Sequence, residues 1–234
     1  MRLGRLIGKW SGWGKRSVRE CFDAGRVRVG GEVVEDRGLL VGKFDRVEVD
    51  GEIVQARMAR SLILNKPAGV VSATTDPEHE TVIDLIEEAW AGELHLAGRL
   101  DRFTTGLMIL TNDSRLSETL TQPGRKIGKR YLVGTDGEIT REMIEAFEVG
   151  MWFAKEKATT APAIVEKLGD RSCRLTIYEG KHHQVKRMFA RFGVKVTELH
   201  REAVGPYELG KLKLGEWRKL ERPLNDSCDN FRNL

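Results

Sequence analysis

The chain has 234 residues, 40% of them apolar and 32% charged, which is enough to bury one large core or two and excludes global disorder. Its net charge of +4 is modest, so any polyanion must be met by local patches rather than by overall charge. Three distant cysteines without a Cys-x-x-Cys pair argue against a disulfide framework or zinc knuckle, and no apolar run approaches the roughly 18 residues of a membrane span.

In chain order, Leu3, Leu6 and Ile7 have helical spacing, and Gly12 and Gly14 end that helix. A second helix is predicted over residues 15–24, with Val18, Cys21 and Phe22 on one face and Gly25 as its stop. "RVRVGGEVV" and "VEVDGEIV" alternate with period two around Gly30-Gly31 and Asp50-Gly51, two hairpin signals. These elements predict a compact module over residues 1–57, joined by the polar linker "QARMARS" to a second domain over 61–225, with a polar tail at 226–234. In the second domain "SLILNKPAGVVSA" is an apolar strand interrupted at Lys66-Pro67, "TVIDLIEEAW" a predicted amphipathic helix begun by Thr81, and "GLMILTND" a strand of the buried type. "KRYLV" starts a strand at Tyr131, 140–147 is a predicted helix, and "APAIVEKL" and "SCRLTIYEG" alternate as strands. A helix over 184–192 closes at Gly193, and "VKVTELHREAVG" returns as a strand. Without a strict βαβ rhythm or a GxGxxG, the expected class is α+β with a mixed, largely antiparallel sheet.

Charge is distributed unevenly. Residues 1–30 hold eight Lys/Arg against two acids, including Lys15, Arg16, Arg19 and Arg26. "GRKIGKR" supplies Arg125, Lys126 and Lys129 with no acid, and residues 181–201 hold six bases, Lys181 and Arg187 among them, against one acid. Separated basic patches suit a polyanion contacted at several points, most simply nucleic acid. Within "AGRLDRFTTGLMILTND", Asp101 stands between Arg99 and Arg102 just before the buried strand. Neighbouring cations stabilise the anionic form of a carboxylate, which suits a nucleophile or base; an Asp-Arg pair closing a loop is the structural alternative. Tyr131 beside two cations has the composition of a base-stacking position, though a tyrosine there also serves a core. No His, Cys, Asp or Glu cluster has metal-ligand spacing; His182 and His183 would point about 100° apart on a helix.

Taken together, "GRLDRFTTGLMILTNDSRLSETLTQP", "KRYLV" and "IYEGKHHQVKRMFARFGVKVTELHRE" resemble the signature segments of RNA pseudouridine synthases, in the RsuA subgroup acting on ribosomal RNA, and "ILNKPAGVVSATTDPEHETVIDLI" matches the same subgroup. The module "GKRSVRECFDAGRVRVGGEVV" is similar to the S4 RNA-binding domain that precedes the catalytic domain there. The resemblance implies isomerisation of a uridine: the N1–C1′ bond breaks, uracil turns, and C5 joins C1′, without metal or cofactor. It implies Asp101 as the essential carboxylate, Tyr131 against the target base, Lys186 paired with Asp101, and Ile177 lining the pocket. Arg99, Arg102, Lys15, Arg16, Arg19, Arg26, Arg125, Lys126, Lys129, Lys181 and Arg187 are the expected RNA contacts. The chain departs from the subgroup pattern at Lys181, where arginine is usual, at Arg102-Phe103, and at the two tryptophans of "KWSGWGKRS". "HQVKRMF" and "FAKEKATTAPAIVEKL" favour 16S over 23S ribosomal RNA, within a partly assembled subunit, for a cytoplasmic monomer. A non-catalytic S4-type assembly factor is the reading from another class.

Overall fold

The computed structural model describes residues 1–220, so the tail expected at 226–234 and the end of the second domain lie outside the described residues. The chain divides into two compact units, residues 1–59 and residue 60 onward. The first contains α1 (Leu3–Ser11), α2 (Lys15–Asp23), β1 (Val27–Val29), β2 (Glu32–Val33), β3 (Val47–Val49) and β4 (Glu52–Gln55). Its four-stranded sheet runs β2-β1-β3-β4. Asp50 and Gly51 both take positive φ (53° and 83°), as a type I′ hairpin between β3 and β4 requires. Leu3, Ile7, Val18, Cys21, Phe22 and the valines of β1 and β3 form its core, while Lys15, Arg16 and Arg19 stand exposed on α2.

The second unit holds β5 (Ser61–Lys66), β6 (His95–Leu96), β7 (Thr105–Thr111), α3 (Ser114–Thr121), β8 (Lys129–Thr135) and α4 (Arg141–Val149). It continues through β9 (Trp152–Phe153), β10 (Ala158–Thr159), β11 (Ile164–Gly169), β12 (Ser172–Ile177), α5 (Gln184–Ala190), β13 (Val196–Val204), β14 (Tyr207–Glu208) and β15 (Trp217–Lys219). The main sheet has the order β11-β12-β8-β13-β7-β5-β15, with β14 on β13 and β6 on β7. Its pairings are antiparallel except β7 with β13, which are parallel. Together with five α-helices this is the expected α+β fold.

Strands β5 and β7 read as unbroken apolar runs because both sheet faces are covered. Leu62, Leu64, Met108 and Leu110 enter one core with Phe147, Met188 and Phe189. Ile63, Leu107 and Ile109 enter the other with Leu116 and Leu120 of α3. Phe147 and Phe189 meet edge to face at 5.0 Å, which locks α4 to α5.

Two segments differ from the sequence expectation. Residues 81–90 form turns, not an amphipathic helix. The Thr81 amide and hydroxyl both donate to Asp84 Oδ2 at 2.8 Å, so the side chain meant to start a helix closes a local turn instead. Val82 also donates its amide to Val71, which ties the segment to another strand-like stretch, and Val82 and Ile86 still reach the core. Conversely α3 was not expected. Its start is marked by Asp113, which accepts from the Arg115 amide at 2.9 Å, and by Leu116 and Leu120 four residues apart.

The parallel join of β7 to β13 depends on Gly106. Its φ is +106°, and a Cβ there would fall within 2.5 Å of the Arg201 nitrogen and nearer still to its carbonyl oxygen. Both neighbours are backbone in the middle of a sheet and cannot yield. Gly106→Ala is therefore expected to lower stability by about 3 kcal/mol or more, combining positive-φ strain with overpacking, as read from urea unfolding midpoints.

Candidate active site

One row across the sheet sets the floor of the site. Leu175 of β12 lies opposite Tyr131 of β8, Tyr131 opposite Arg201 of β13, Arg201 opposite Gly106 of β7, and Gly106 opposite Lys66 of β5. In-register neighbours project to the same face, so Tyr131, Arg201 and Lys66 share one side of the sheet. Ile177 lies opposite Lys129 two positions further along β12. Above this floor is a cleft of about 470 Å³ whose walls include Asp101, Tyr131, Ile177 and Lys186. The four residues that the resemblance implied, scattered over 86 positions of sequence, thus line one cavity. Tyr131 and Ile177 are buried in its wall.

Asp101 sits on the loop entering β7, and that loop is fastened from three sides. Thr104 donates its amide to the Asp101 carbonyl at 3.0 Å, closing a tight turn. The Ser72 hydroxyl donates to the Leu100 carbonyl at 2.7 Å and accepts from the Leu100 amide at 3.1 Å. Beneath, the fully buried Lys66 ammonium donates to the carbonyls of Pro67, Arg102 and Thr104 at 2.9, 2.9 and 3.0 Å. Burial pushes Lys66 down to about 8, with the charge of Asp101 opposing the shift. A buried ammonium is tolerated only when its three donors are satisfied, and here they are satisfied by the loop.

The Asp101 side chain is 30% exposed, and a different side chain faces each of its oxygens: the Lys186 ammonium, Nζ at 3.2 Å from Oδ2, and the His183 imidazole, Nε2 at 3.3 Å from Oδ1. Lys186 comes from α5. His183 precedes that helix in the left-handed region, φ 51°, with its ring stacked on His182 at 3.8 Å. The histidines therefore do not splay on a helix as their adjacency predicts, because the helix begins one residue later. The connecting loop is built on Glu179, which accepts from the Gln184 side chain at 2.7 Å and the Ala161 amide at 3.1 Å and pairs with Lys181.

The remaining cations fall into groups. Arg99 and Lys129 line the cleft, and burial with Arg201 nearby pulls Lys129 down to about 8. Arg102 donates Nε to the Gly69 carbonyl at 3.0 Å. Arg125 and Lys126 stand exposed on the turn before β8. Arg187 is held by both oxygens of Glu156 at 2.7 and 2.8 Å and lies 4.0 Å from the Phe153 ring centroid. In the first unit Arg16 and Arg19 pair with Glu20 and Asp23, and Arg26 with Asp50. Arg201, 3% exposed, donates Nε to the Leu107 carbonyl at 2.7 Å. Among the described residues no group of three or more His, Cys, Asp or Glu could hold a metal ion, and no helix is long and apolar enough to cross a membrane.

Sequence reading missed Ser72, His183, Arg201 and above all Lys66. The signal for Lys66 was present: a lysine inside "SLILNKPAGVV" that the strand must carry inward. Lys66→Met should take a donor from three carbonyls, of which that of Arg102 keeps the Gly69 amide, and destabilise the protein by about 2 kcal/mol, near 1 kcal/mol for each of the other two. Denaturant titration checks the loss, and amide exchange over residues 100–104 should accelerate most.

Likeness to known proteins agrees with this arrangement. The RNA pseudouridylate synthase family pattern matches residues 60–191. The ribosomal small subunit pseudouridine synthase A of Pseudomonas aeruginosa PAO1 is 45% identical over 222 residues, covering 94% of this chain and 96% of that one. Its counterpart in Escherichia coli K12 is 39% identical over the same spans. A crystal structure of a pseudouridylate synthase superposes with a TM-score of 0.68 at 34% identity, covering 94% of this chain and 96% of that one. With the family pattern over more than half of its residues and relatives matched over nearly its full length, this chain belongs to the RNA pseudouridylate synthase family.

Proposed function

We propose that this chain converts a uridine of small-subunit (16S) ribosomal RNA to pseudouridine, with Asp101 as the essential carboxylate. The observation that carries the reading is Asp101 itself: partly exposed on the cleft, with Lys186 and His183 each facing one of its oxygens. The small-subunit relatives that match nearly end to end support the choice of substrate.

The target base must leave its stack before C1′ can be reached, at a cost of a few kcal/mol. Phosphate contacts from Arg99, Lys129, Arg125 and Lys126, and from the S4-like unit at residues 1–57 through Lys15, Arg16 and Arg19, offset that cost. In this reading Tyr131 packs against the extruded uracil and Ile177 closes its other side. Asp101 then either adds to C1′ or removes the C2′ proton, so that uracil departs as an anion and turns within the cleft; C5 then bonds to C1′ as the Asp101 ester breaks, or as C2′ regains its proton, after which the C5 hydrogen leaves to solvent and N1 takes up a proton. Retaining the leaving group explains why one acting carboxylate suffices, with Glu179, the other acid lining the cleft, committed to Lys181 and Gln184: glycosidases need a second carboxyl to protonate a departing alcohol, whereas a uracil anion is delocalised and stays bound. Lys186 orients Asp101 and supplies positive potential beside the sugar. The chain acts as a monomer in the cytoplasm, on a partly assembled subunit whose folded RNA presents the site.

Asp101→Asn should abolish tritium release from [5-³H]uridine-labelled small-subunit RNA while leaving RNA affinity within a few-fold of wild type. Retained release would refute the mechanism, and modification confined to 23S RNA would refute the substrate. Because Lys129 titrates near 8, raising the pH from 7 to 9 removes a cation from the cleft. RNA affinity should weaken a few-fold over that range, and Lys129→Met should be weaker at pH 7 with a flatter pH response, as measured by filter binding.

A further inference from the structure

Phe103 lies two residues beyond Asp101 and is 70% exposed. Local construction enforces that exposure. Lys66 holds the carbonyls on both sides of it, those of Arg102 and Thr104, at 2.9 and 3.0 Å. Gly69 and Arg102 are joined twice, by the Gly69 amide to the Arg102 carbonyl at 2.9 Å and by Arg102 Nε to the Gly69 carbonyl at 3.0 Å. The backbone at the tip of the turn is thus clamped from below and from one side, and the ring it carries faces outward. The Arg102 guanidinium carbon lies over the ring, 5.5 Å from its centroid, so the pair combines an exposed aromatic ring with a cation over one of its faces. That is the composition of a nucleobase platform, because every base has a π-face and every nucleotide a phosphate.

We propose that Phe103 and Arg102 form a stacking platform for an unpaired nucleobase next to the uridine that enters the cleft. This rests on the proposed RNA-isomerising activity and adds a contact outside the cleft wall, since neither residue lines the cavity. The platform holds the RNA strand at the cleft mouth while the target nucleotide is out of its stack. The clamped backbone matters, because a turn already held in place loses little freedom when a base settles on the ring it carries.

The test compares the full chain with its Phe103→Ala, Phe103→Leu and Phe103→Trp variants on partly assembled small-subunit particles carrying [5-³H]uridine, following both tritium release and filter binding. Phe103→Ala should raise KM about tenfold, equivalent to about 1.4 kcal/mol and within the range of one base–aromatic stack, with the larger share of the defect in KM rather than kcat. Phe103→Leu should be as impaired as Ala, because an aliphatic chain has no ring to stack. Phe103→Trp should match or better the wild type and show an added tryptophan emission that RNA quenches. An unchanged KM in Phe103→Ala, or full activity in Phe103→Leu, overturns the platform. Matching thermal midpoints for Ala and wild type exclude misfolding as the cause of a defect. If the wild type itself releases no tritium, the isomerase reading fails, and the filter-binding affinities of the same four proteins still decide whether Phe103 stacks on RNA.

Discussion

The ammonium of Lys66 is the contact on which the site most depends. It is fully buried, and its three donors are taken by carbonyls of residues 67, 102 and 104. Burying a charge is expensive, and the expense is reduced only by complete hydrogen bonding. The consequence runs in both directions. The loop supplies the partners that let β5 end in a lysine, and the lysine fixes the loop so that the carboxylate of Asp101 has one position. A neutral side chain at 66 could fill the space, but it could not hold carbonyls from both sides of residue 103.

The sheet explains how distant parts of the sequence come to face that carboxylate. Parallel pairing of β7 with β13 in an otherwise antiparallel sheet places Arg201 beside Gly106, and β13 in turn carries Tyr131 of β8 alongside. The close approach at Gly106 excludes any Cβ, so the crossing point admits one residue type. Next to it Arg201 is buried and donates to the Leu107 carbonyl, adding a fixed cation under the cleft. The apolar layers on either side, with Phe147 and Phe189 on one and Leu116 and Leu120 on the other, keep this arrangement from shifting.

Much of the fold was legible because period and punctuation agree. The hairpins around Gly30-Gly31 and Asp50-Gly51, the buried run of β7 and the strands around residues 164–177 all form where alternation and turn residues place them. Residues 81–90 failed for a reason visible only in three dimensions. "TVIDLIEEAW" has the right apolar spacing, but Asp84 turns back on Thr81 and Val82 bonds to Val71, so tertiary contact wins over helical propensity. The site was legible unevenly. Asp101, Tyr131, Lys186 and Ile177 were reached through resemblance, since spacing alone could not bring positions 101 and 186 together. Lys66 and His183 were missed because their roles are defined by carbonyls and by a carboxylate that lie 36 to 38 and 82 residues away in sequence.

The charge pattern at the cleft also separates cations by task, which composition cannot do. Arg187 is spent on Glu156 and Phe153, and Arg26 on Asp50. Both count equally with Lys129 or Lys186 in a tally of basic residues, yet an exposed ion pair contributes little to stability and presents reduced net charge to a phosphate. Lys186 and His183 are directed at Asp101, Lys66 is sealed beneath its loop, and Lys129 is pulled to the edge of neutrality by burial and by Arg201. A polyanion approaching this cleft therefore meets fewer free cations than the sequence suggests, and those it meets share the cleft with Asp101 and with Glu179, whose carboxylate is already engaged by Lys181, Gln184 and the Ala161 amide. A carboxylate in a cleft lined by cations is thereby offset: Asp101 is held beside the Lys186 ammonium, with Lys66 sealed beneath its loop, so its negative charge is balanced locally.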